Sequence, residues 1–281
     1  MTNPDLGTWI NAATAKLCSG SEYPSIEVTA VAAFMLKKSK EWIIAHPEFL
    51  LNEVHLAELN KAIDRLLNGE PLAYITGRRS FYGLEFQVDR RVLVPRPETE
   101  LLVDLAMDWM RENPEKSRVV DVGTGSGAIA VAIAHHFPNL TITAIDASPD
   151  ALVVAKMNAK LHHTADRIRF IQNNLLDGLD EKFDLVLANL PYIPSREVDD
   201  TPALKHEPRA ALDGGSDGLR LIEKLMLSCT DSLAPNGCVI LELQYNQWEV
   251  VRQIAMQLYQ QAIISIHHDL AAHPRVARIQ T

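Results

Sequence analysis

The chain has 281 residues, 47% of them apolar and 22% charged, with a formal net charge of −9. That length holds one large α/β domain and a smaller one, and the composition is that of an ordinary folded protein. The acidic charge argues against a partner held mainly through phosphates, which needs a basic face, so no direct nucleic-acid partner is expected.

The first 69 residues are helical in pattern. Ser25 reads as the cap of a helix over Ile26–Leu36, with Val28, Val31, Ala32, Met35 and Leu36 on one face. A second helix over Asn52–Leu67 stops at Asn68-Gly69. Residues 70–95 change character. Alternation around Tyr82-Gly83 in Ser80–Val88 predicts a β-hairpin, and Val92-Leu93-Val94 a short strand. Pro97 then opens a helix, with acidic residues in its first turn.

From Ser117 strands and helices alternate. Strands are expected at Arg118–Val122, Leu140–Ile145, Ile168–Gln172, Phe183–Ala188 and Cys238–Leu243. Helices are expected at Gly127–Phe137, from the cap Ser148-Pro149 to Leu161, at Gly218–Leu233 and at Gln247–Gln260. Ile263–Ile266 and Val276–Ile279 close the chain as an antiparallel edge pair. This is the pattern of a mostly parallel sheet with helices on both faces.

Cys18, Cys229 and Cys238 are too scattered for a disulfide framework and read as small buried side chains in a reducing compartment. The adjacent pairs His135-His136, His162-His163 and His267-His268 point their members apart, which disfavours a shared metal. Met1–Leu6 lacks the basic start of a signal peptide, and runs such as Ala128–Ala134 are too short to span a bilayer. A cytoplasmic monomer without membrane contact is expected.

Two turns carry the chemistry. The first, Asp121-Val122-Gly123-Thr124-Gly125-Ser126-Gly127, follows a strand. Its glycines admit a ligand close to the backbone, and the next helix presents free N–H groups. Asp146 ends the next strand, 23 positions after Gly123, where a carboxylate can accept from two ribose hydroxyls. A dinucleotide would suit the same turn, since Gly123, Gly125 and Ala128 fit its looser pattern. Asp121 favours a cationic amino end over a pyrophosphate. The second turn, Asn189-Leu190-Pro191-Tyr192, follows the buried strand Phe183–Ala188. Asn189 and the residue 190 carbonyl can hold an NH2 group, Pro191 stiffens the turn, and Tyr192 offers a flat face to a planar amide or base. The pair suggests methyl transfer from S-adenosylmethionine to a planar nitrogen.

With these turns, the segments Gly69–Gly77, Val94-Pro95-Arg96-Pro97-Glu98-Thr99-Glu100 and Glu207–Leu219 give a chain that resembles the protein-(glutamine-N5) methyltransferases of class I peptide chain release factors, the HemK/PrmC family. The resemblance implies a class I S-adenosylmethionine-dependent methyltransferase domain, a Rossmann-like, mostly parallel seven-stranded sheet, over 96–281. It also implies a helical recognition domain over 1–69 and a hairpin linker over 70–95. By position, Asp121, Gly123, Thr124, Gly125, Ser126, Gly127, Asp146, Asn174, Leu175 and Asn189 hold the cofactor. Asn189, Leu190, Pro191, Tyr192 and Arg96 meet the glutamine of a Gly-Gly-Gln loop, and no metal is implied.

Three departures stand out. Leu190 replaces the first Pro of the family's Asn-Pro-Pro-Tyr, which implies a less rigid turn with the carbonyl kept. Asn174 replaces a frequent Asp near the adenine. Leu243–Gln247 replaces a Glu-Ile-Gly stretch, with no evident effect. Asn-Leu-Pro-Tyr is also the form of ribosomal RNA adenine methyltransferases, which leaves an adenine-N6 enzyme or a ribosomal-protein glutamine methyltransferase as alternatives.

Overall fold

Capping chemistry sets the helices of the first of two units, which ends at Gly77. The structure, a computed structural model, describes residues 4–281. Asp5 accepts from the Thr8 N–H at 2.7 Å and starts α1 (Leu6–Leu17). Helix α2 (Pro24–Leu36) corrects an expectation: Pro24 takes its first position, so Ser25 lies inside the helix and caps nothing. Ser39 caps α3 (Lys40–Ala45), and Asn52 and His55 form a reciprocal capping box on α4 (Glu53–Leu67). The short α5 (Leu72–Thr76) follows. Leu6, Trp9, Val28, Val31, Leu59, Ile63 and Ile75 form the core of this unit.

The second unit, Arg78–Thr281, opens with the hairpin β1 (Arg78–Phe81) and β2 (Leu84–Gln87). Its turn is Tyr82-Gly83, with φ +49° and +73°, the mirror-image turn that matches strand twist. The strand expected at Val92–Val94 is absent. The Val94 N–H is taken by Glu207 Oε2 at 3.1 Å, not by a neighbouring strand.

After a single 3-10 turn at Pro97–Thr99, the chain runs through α6 (Glu100–Glu112), β3 (Val119–Val122), α7 (Ala128–His136), β4 (Ile142–Asp146) and α8 (Pro149–Leu161). Next come β5 (Ile168–Gln172), β6 (Phe183–Ala188), α9 (Ser195–Asp200), α10 (Arg220–Ser232), β7 (Leu233–Glu242), α11 (Trp248–Leu258), β8 (Ile263–His268) and β9 (Pro274–Gln280). The sheet order is β5-β4-β3-β6-β7-β9-β8, and β9 alone runs against its neighbours. The closing strands pair antiparallel at one end of the sheet, as expected, with β9 buried between β7 and β8 through Val276, Ala277 and Ile279 and β8 outermost.

The chain runs outward from β3 to β4 and β5 and then crosses back to β6 on the other side of β3, and this reversal opens a crevice at the carboxyl ends of β3 and β6. Asn158 of α8 ties the hairpin to this layer by bonding both backbone groups of Gln87, at 2.7 and 3.0 Å. Cys229 and Cys238 are buried as expected, whereas Cys18 is exposed. Among the described residues no helix is long and apolar enough to cross a membrane.

Candidate active site

A cavity of about 260 Å³ opens at the switch point. Gly123, Thr124, Gly125, Ser126, Asp146, Asn174, Leu175, Asn189, Leu190, Pro191 and Arg96 line it, whereas Asp121, Gly127 and Tyr192 do not. Asp121 lies off the cavity wall. It is fully buried beneath the turn, where Oδ2 accepts from the Thr124 hydroxyl at 2.6 Å and the Ala130 N–H at 3.2 Å. Its direct work is to fold the turn. Burial pushes its carboxyl up to about 7, and Oδ1 has no hydrogen-bond partner among the described residues.

Gly127 serves packing rather than a ligand. A Cβ there would meet the Ala155 Cβ and Cα at 3.1 and 3.2 Å, so glycine lets α7 start hard against α8. Gly125 has room above it, the nearest atom to an added Cβ being 3.9 Å away.

Asp146 accepts from the Gly125 N–H through Oδ2 and the Ser148 N–H through Oδ1, both at 2.8 Å. Burial raises its pKa, and those two bonds hold it back. Each oxygen keeps a lone pair for a ligand. Asn174 donates through Nδ2 to Asp177 at 3.0 Å, and Lys224 holds the same Asp177 oxygen at 2.7 Å. Asn174 Oδ1 is thereby left as an acceptor.

The second turn meets the first. A Cβ on Gly123 would lie 2.9 Å from Leu190 Cδ2, so the Leu190 side chain rests directly on the glycine turn. Leu190 is 4% exposed. The Leu190 side chain is thus packed on the glycine turn at the position where the family has a proline ring. Asn189 donates through Nδ2 to Thr99 Oγ1 at 3.0 Å.

Tyr192 departs from the expected flat platform. Its ring packs on the sheet core and its hydroxyl donates to Glu242 Oε1 at 3.0 Å, burial and the carboxylate together raising the phenol pKa. The Tyr192 carbonyl accepts from Gln247 Nε2 at 2.9 Å, while Gln247 Oε1 takes the Gln244 N–H at 3.0 Å. The unexplained Leu243–Gln247 stretch is therefore a clamp on the Asn-Leu-Pro-Tyr turn.

The Asp213–Gly218 loop wraps the same turn. Ile193 donates to the Leu212 carbonyl (3.0 Å) and Gly214 to the Ile193 carbonyl (2.9 Å). A Cβ on Gly214 would sit 2.7 Å from the Pro191 oxygen, and one on Gly218 2.1 Å from the Tyr192 oxygen. Arg96 faces the cavity, but its guanidinium is paired with buried Glu207. Thr99, Glu207, Glu242 and Gln247 were not singled out in the sequence. Thr99 and Glu207 fall within the Pro-Arg-Pro-Glu-Thr-Glu and Glu-Pro-Arg segments, which were the available signal.

Comparison with known proteins adds to this geometry. A profile described as "Methyltransferase small domain" matches residues 99–239, and one described as "PrmC N-terminal domain" matches residues 8–77. A protein of Coxiella burnetii named "Release factor glutamine methyltransferase" is 37% identical over 265 residues, covering 93% of each chain. A "Bifunctional methyltransferase" of Rickettsia bellii is 34% identical over 288 residues, 92% of this chain, which spans about half (52%) of that longer protein. The crystal structure of a methyltransferase from Pyrococcus furiosus shares the fold, with a TM-score of 0.53 at 18% identity over 79% of this chain and 98% of that one.

Proposed function

This chain belongs to the release factor glutamine methyltransferase family, and we propose that it transfers a methyl group from S-adenosylmethionine to the side-chain amide N5 of the glutamine in the Gly-Gly-Gln loop of class I peptide chain release factors. The observation that carries the reading is the contact of Leu190 with Gly123, which puts Asn189 in the same cavity as the glycine turn.

The residues present fit the donor. Asp146 offers an acceptor pair to vicinal ribose hydroxyls, and Asn174 Oδ1 suits an adenine amine. Gly123 and Gly125 admit the chain of the ligand, with Thr124, Ser126 and Leu175 beside them. The unpartnered oxygen of Asp121 beneath the turn favours a cationic amino end nearby. When bound, S-adenosylmethionine supplies an electrophilic methyl on a sulfonium and leaves as a neutral thioether.

An amide nitrogen is a weak nucleophile because its lone pair is delocalised into the carbonyl. Asn189 Oδ1 and the Leu190 carbonyl can each accept one N–H of the substrate NH2, which orients the lone pair toward the methyl. The N–C bond forms as the C–S bond breaks, and the nitrogen gives its proton to solvent. The sulfonium charge is spread over sulfur, methyl and nitrogen in the transition state, so a dry site lined by Leu190, Pro191 and Leu175 favours it. The residues act by positioning, without a strong base.

We assign residues 1–69 to release factor recognition, 70–95 to the connection and 96–281 to catalysis, in a cytoplasmic monomer. The test is incubation of the protein with labelled S-adenosylmethionine and a bacterial class I release factor. A release factor with the Gly-Gly-Gln glutamine changed to Ala and ribosomal RNA are run in parallel. Label is expected in the unaltered release factor alone. Label in RNA instead would replace this reading with adenine methylation.

A further inference from the structure

Asn174 stands where the family often has an aspartate, and the exchange matters for hydrogen-bond direction. An aspartate carboxylate can only accept from an adenine amine. An asparagine has an accepting end and a donating end of nearly the same shape, and only its partners decide which end faces a ligand. Here the partner is Asp177. Asn174 Nδ2 donates to Asp177 Oδ2 at 3.0 Å, and Asn174 Oδ1 has no hydrogen-bond partner among the described residues. Lys224 of α10 donates to the same Asp177 oxygen at 2.7 Å and anchors the carboxylate from outside the loop. The loop itself is braced. The Asn173 N–H bonds the Asp146 carbonyl at 3.1 Å and the Asp177 N–H bonds the Asn174 carbonyl at 3.2 Å. Asn173 Nδ2 holds the Leu175 and Asp177 carbonyls at 3.2 and 2.8 Å. Within this brace Leu175 is kept at φ +54°, a left-handed conformation that side chains rarely adopt. Asn174 is thereby set beyond the end of β5, one strand further out than Asp146, on the wall of the same cavity.

We infer that Asp177 is a positioning residue for donor recognition, fixing the Asn174 amide with its oxygen toward the base, so that the site selects a 6-amino purine over a 6-oxo purine. A carboxylate offers only lone pairs, so Asn174 has to give it the NH2 end. Oδ1 is then the end left for the cavity, and it matches the amine of adenine. Turned over, the amide would set lone pairs against lone pairs on Asp177. It would also present an NH2 to the base, which matches the carbonyl of a 6-oxo purine. The Asp177–Lys224 pair is half-exposed, so it adds little to stability, and its effect is on direction. The inference rests on the proposed S-adenosylmethionine site.

The test measures Kd by calorimetry for S-adenosylhomocysteine and for S-inosylhomocysteine, which carries a carbonyl oxygen in place of the adenine amine. It compares wild type, Asp177→Asn, and the exchanged pair Asn174→Asp with Asp177→Asn. Wild type should bind the adenosyl compound the more tightly by about tenfold or more. Asp177→Asn keeps the size of the side chain and the main-chain bonds of the loop, but its NH2 can donate to a reversed Asn174. It should bring the two constants within about threefold of each other. The exchanged pair puts a carboxylate at position 174, which accepts whichever way it turns, and should restore the wild-type preference. An unchanged preference in Asp177→Asn overturns the inference, including the case where both compounds weaken equally, the mark of a loop merely loosened. An exchanged pair no more selective than Asp177→Asn overturns it as well. A wild-type protein that binds neither compound removes the donor reading and this inference together. One that binds both equally removes the inference alone.

Discussion

Replacing Gly218 with Ala tests whether the Asp213–Gly218 loop holds the Asn-Leu-Pro-Tyr turn in place. Gly218 has φ +79°, and an added Cβ would lie 2.1 Å from the Tyr192 oxygen and 2.6 Å from Gln247 Nε2. Neither contact is tolerable, so the carbonyl must move and its 2.9 Å bond from Gln247 must break. The left-handed backbone alone costs an alanine about 1 kcal/mol. Loss of a buried hydrogen bond adds about 1–3 kcal/mol, for a total near 2–4 kcal/mol. Gly178→Ala supplies the control. Gly178 has φ +68° with nothing within 4 Å of an added Cβ, so it carries the backbone cost and no clash. Thermal unfolding and kcat on a release factor are measured for both variants. Gly218→Ala should be the less stable by about 1–3 kcal/mol and should lose about a hundredfold in kcat, because Asn189 sits three residues before the displaced carbonyl. Equal stabilities together with wild-type turnover in Gly218→Ala would falsify the argument.

Asn189→Ala should abolish methyl transfer while leaving S-adenosylmethionine binding nearly intact; normal turnover on a release factor would show that Asn189 has no part in it. Asp146→Ala should weaken binding of the donor by about 1–3 kcal/mol, measured by calorimetry, through unpaired ribose hydroxyls. Asp121 links stability to pH. Its folded pKa of about 7 stands above the ordinary 3.8, so the folded state binds the extra proton between these values. The contribution of Asp121 to the stability of the ligand-free protein should be fully present below pH 4 and be lost as pH rises toward 7, by at most about 4 kcal/mol. Asp121→Asn should flatten that slope, raise the melting temperature of the ligand-free protein at pH 8, and weaken donor binding. A ligand-free melting profile from pH 4 to 8 that is the same with and without the carboxylate would contradict the burial argument.

Elements set by local chemistry were legible in the sequence. Ser148-Pro149 marks the start of α8 because a hydroxyl cap followed by proline is a signal confined to adjacent residues. Tyr82-Gly83 marks the hairpin for the same reason. The Gly123–Gly127 and Asn189–Tyr192 turns were visible because each follows a strong apolar run. Burial and long-range partners were not visible. Val92–Val94 has strand-like side chains, yet a carboxylate 113 residues away takes its N–H. The depth of Asp121 under the turn is a property of the packed sheet and has no local signal. Thr99, Glu242 and Gln247 work through partners 90, 50 and 55 residues away, a distance no periodicity spans.

The placement of the two deepest acids follows from what the site must do. Asp121 lies on β3 and Glu242 on β7, the two strands that flank β6 and its Asn189. Each is essentially inaccessible and each keeps one oxygen without a hydrogen-bond partner among the described residues. Aliphatic residues at both positions would be the more stable choice, since an unpaired buried carboxylate oxygen forfeits its hydration. The two acids are not equivalent. Asp121 sits under the turn that would receive a cationic ligand, where a charge can be repaid on binding. Glu242 sits at the end of β7 and accepts from the Tyr192 hydroxyl at 3.0 Å, which holds the ring behind the Asn-Leu-Pro-Tyr turn. The strand between them presents Asn189, so both unpartnered carboxylates lie on the strands that flank the one leading into the Asn-Leu-Pro-Tyr turn.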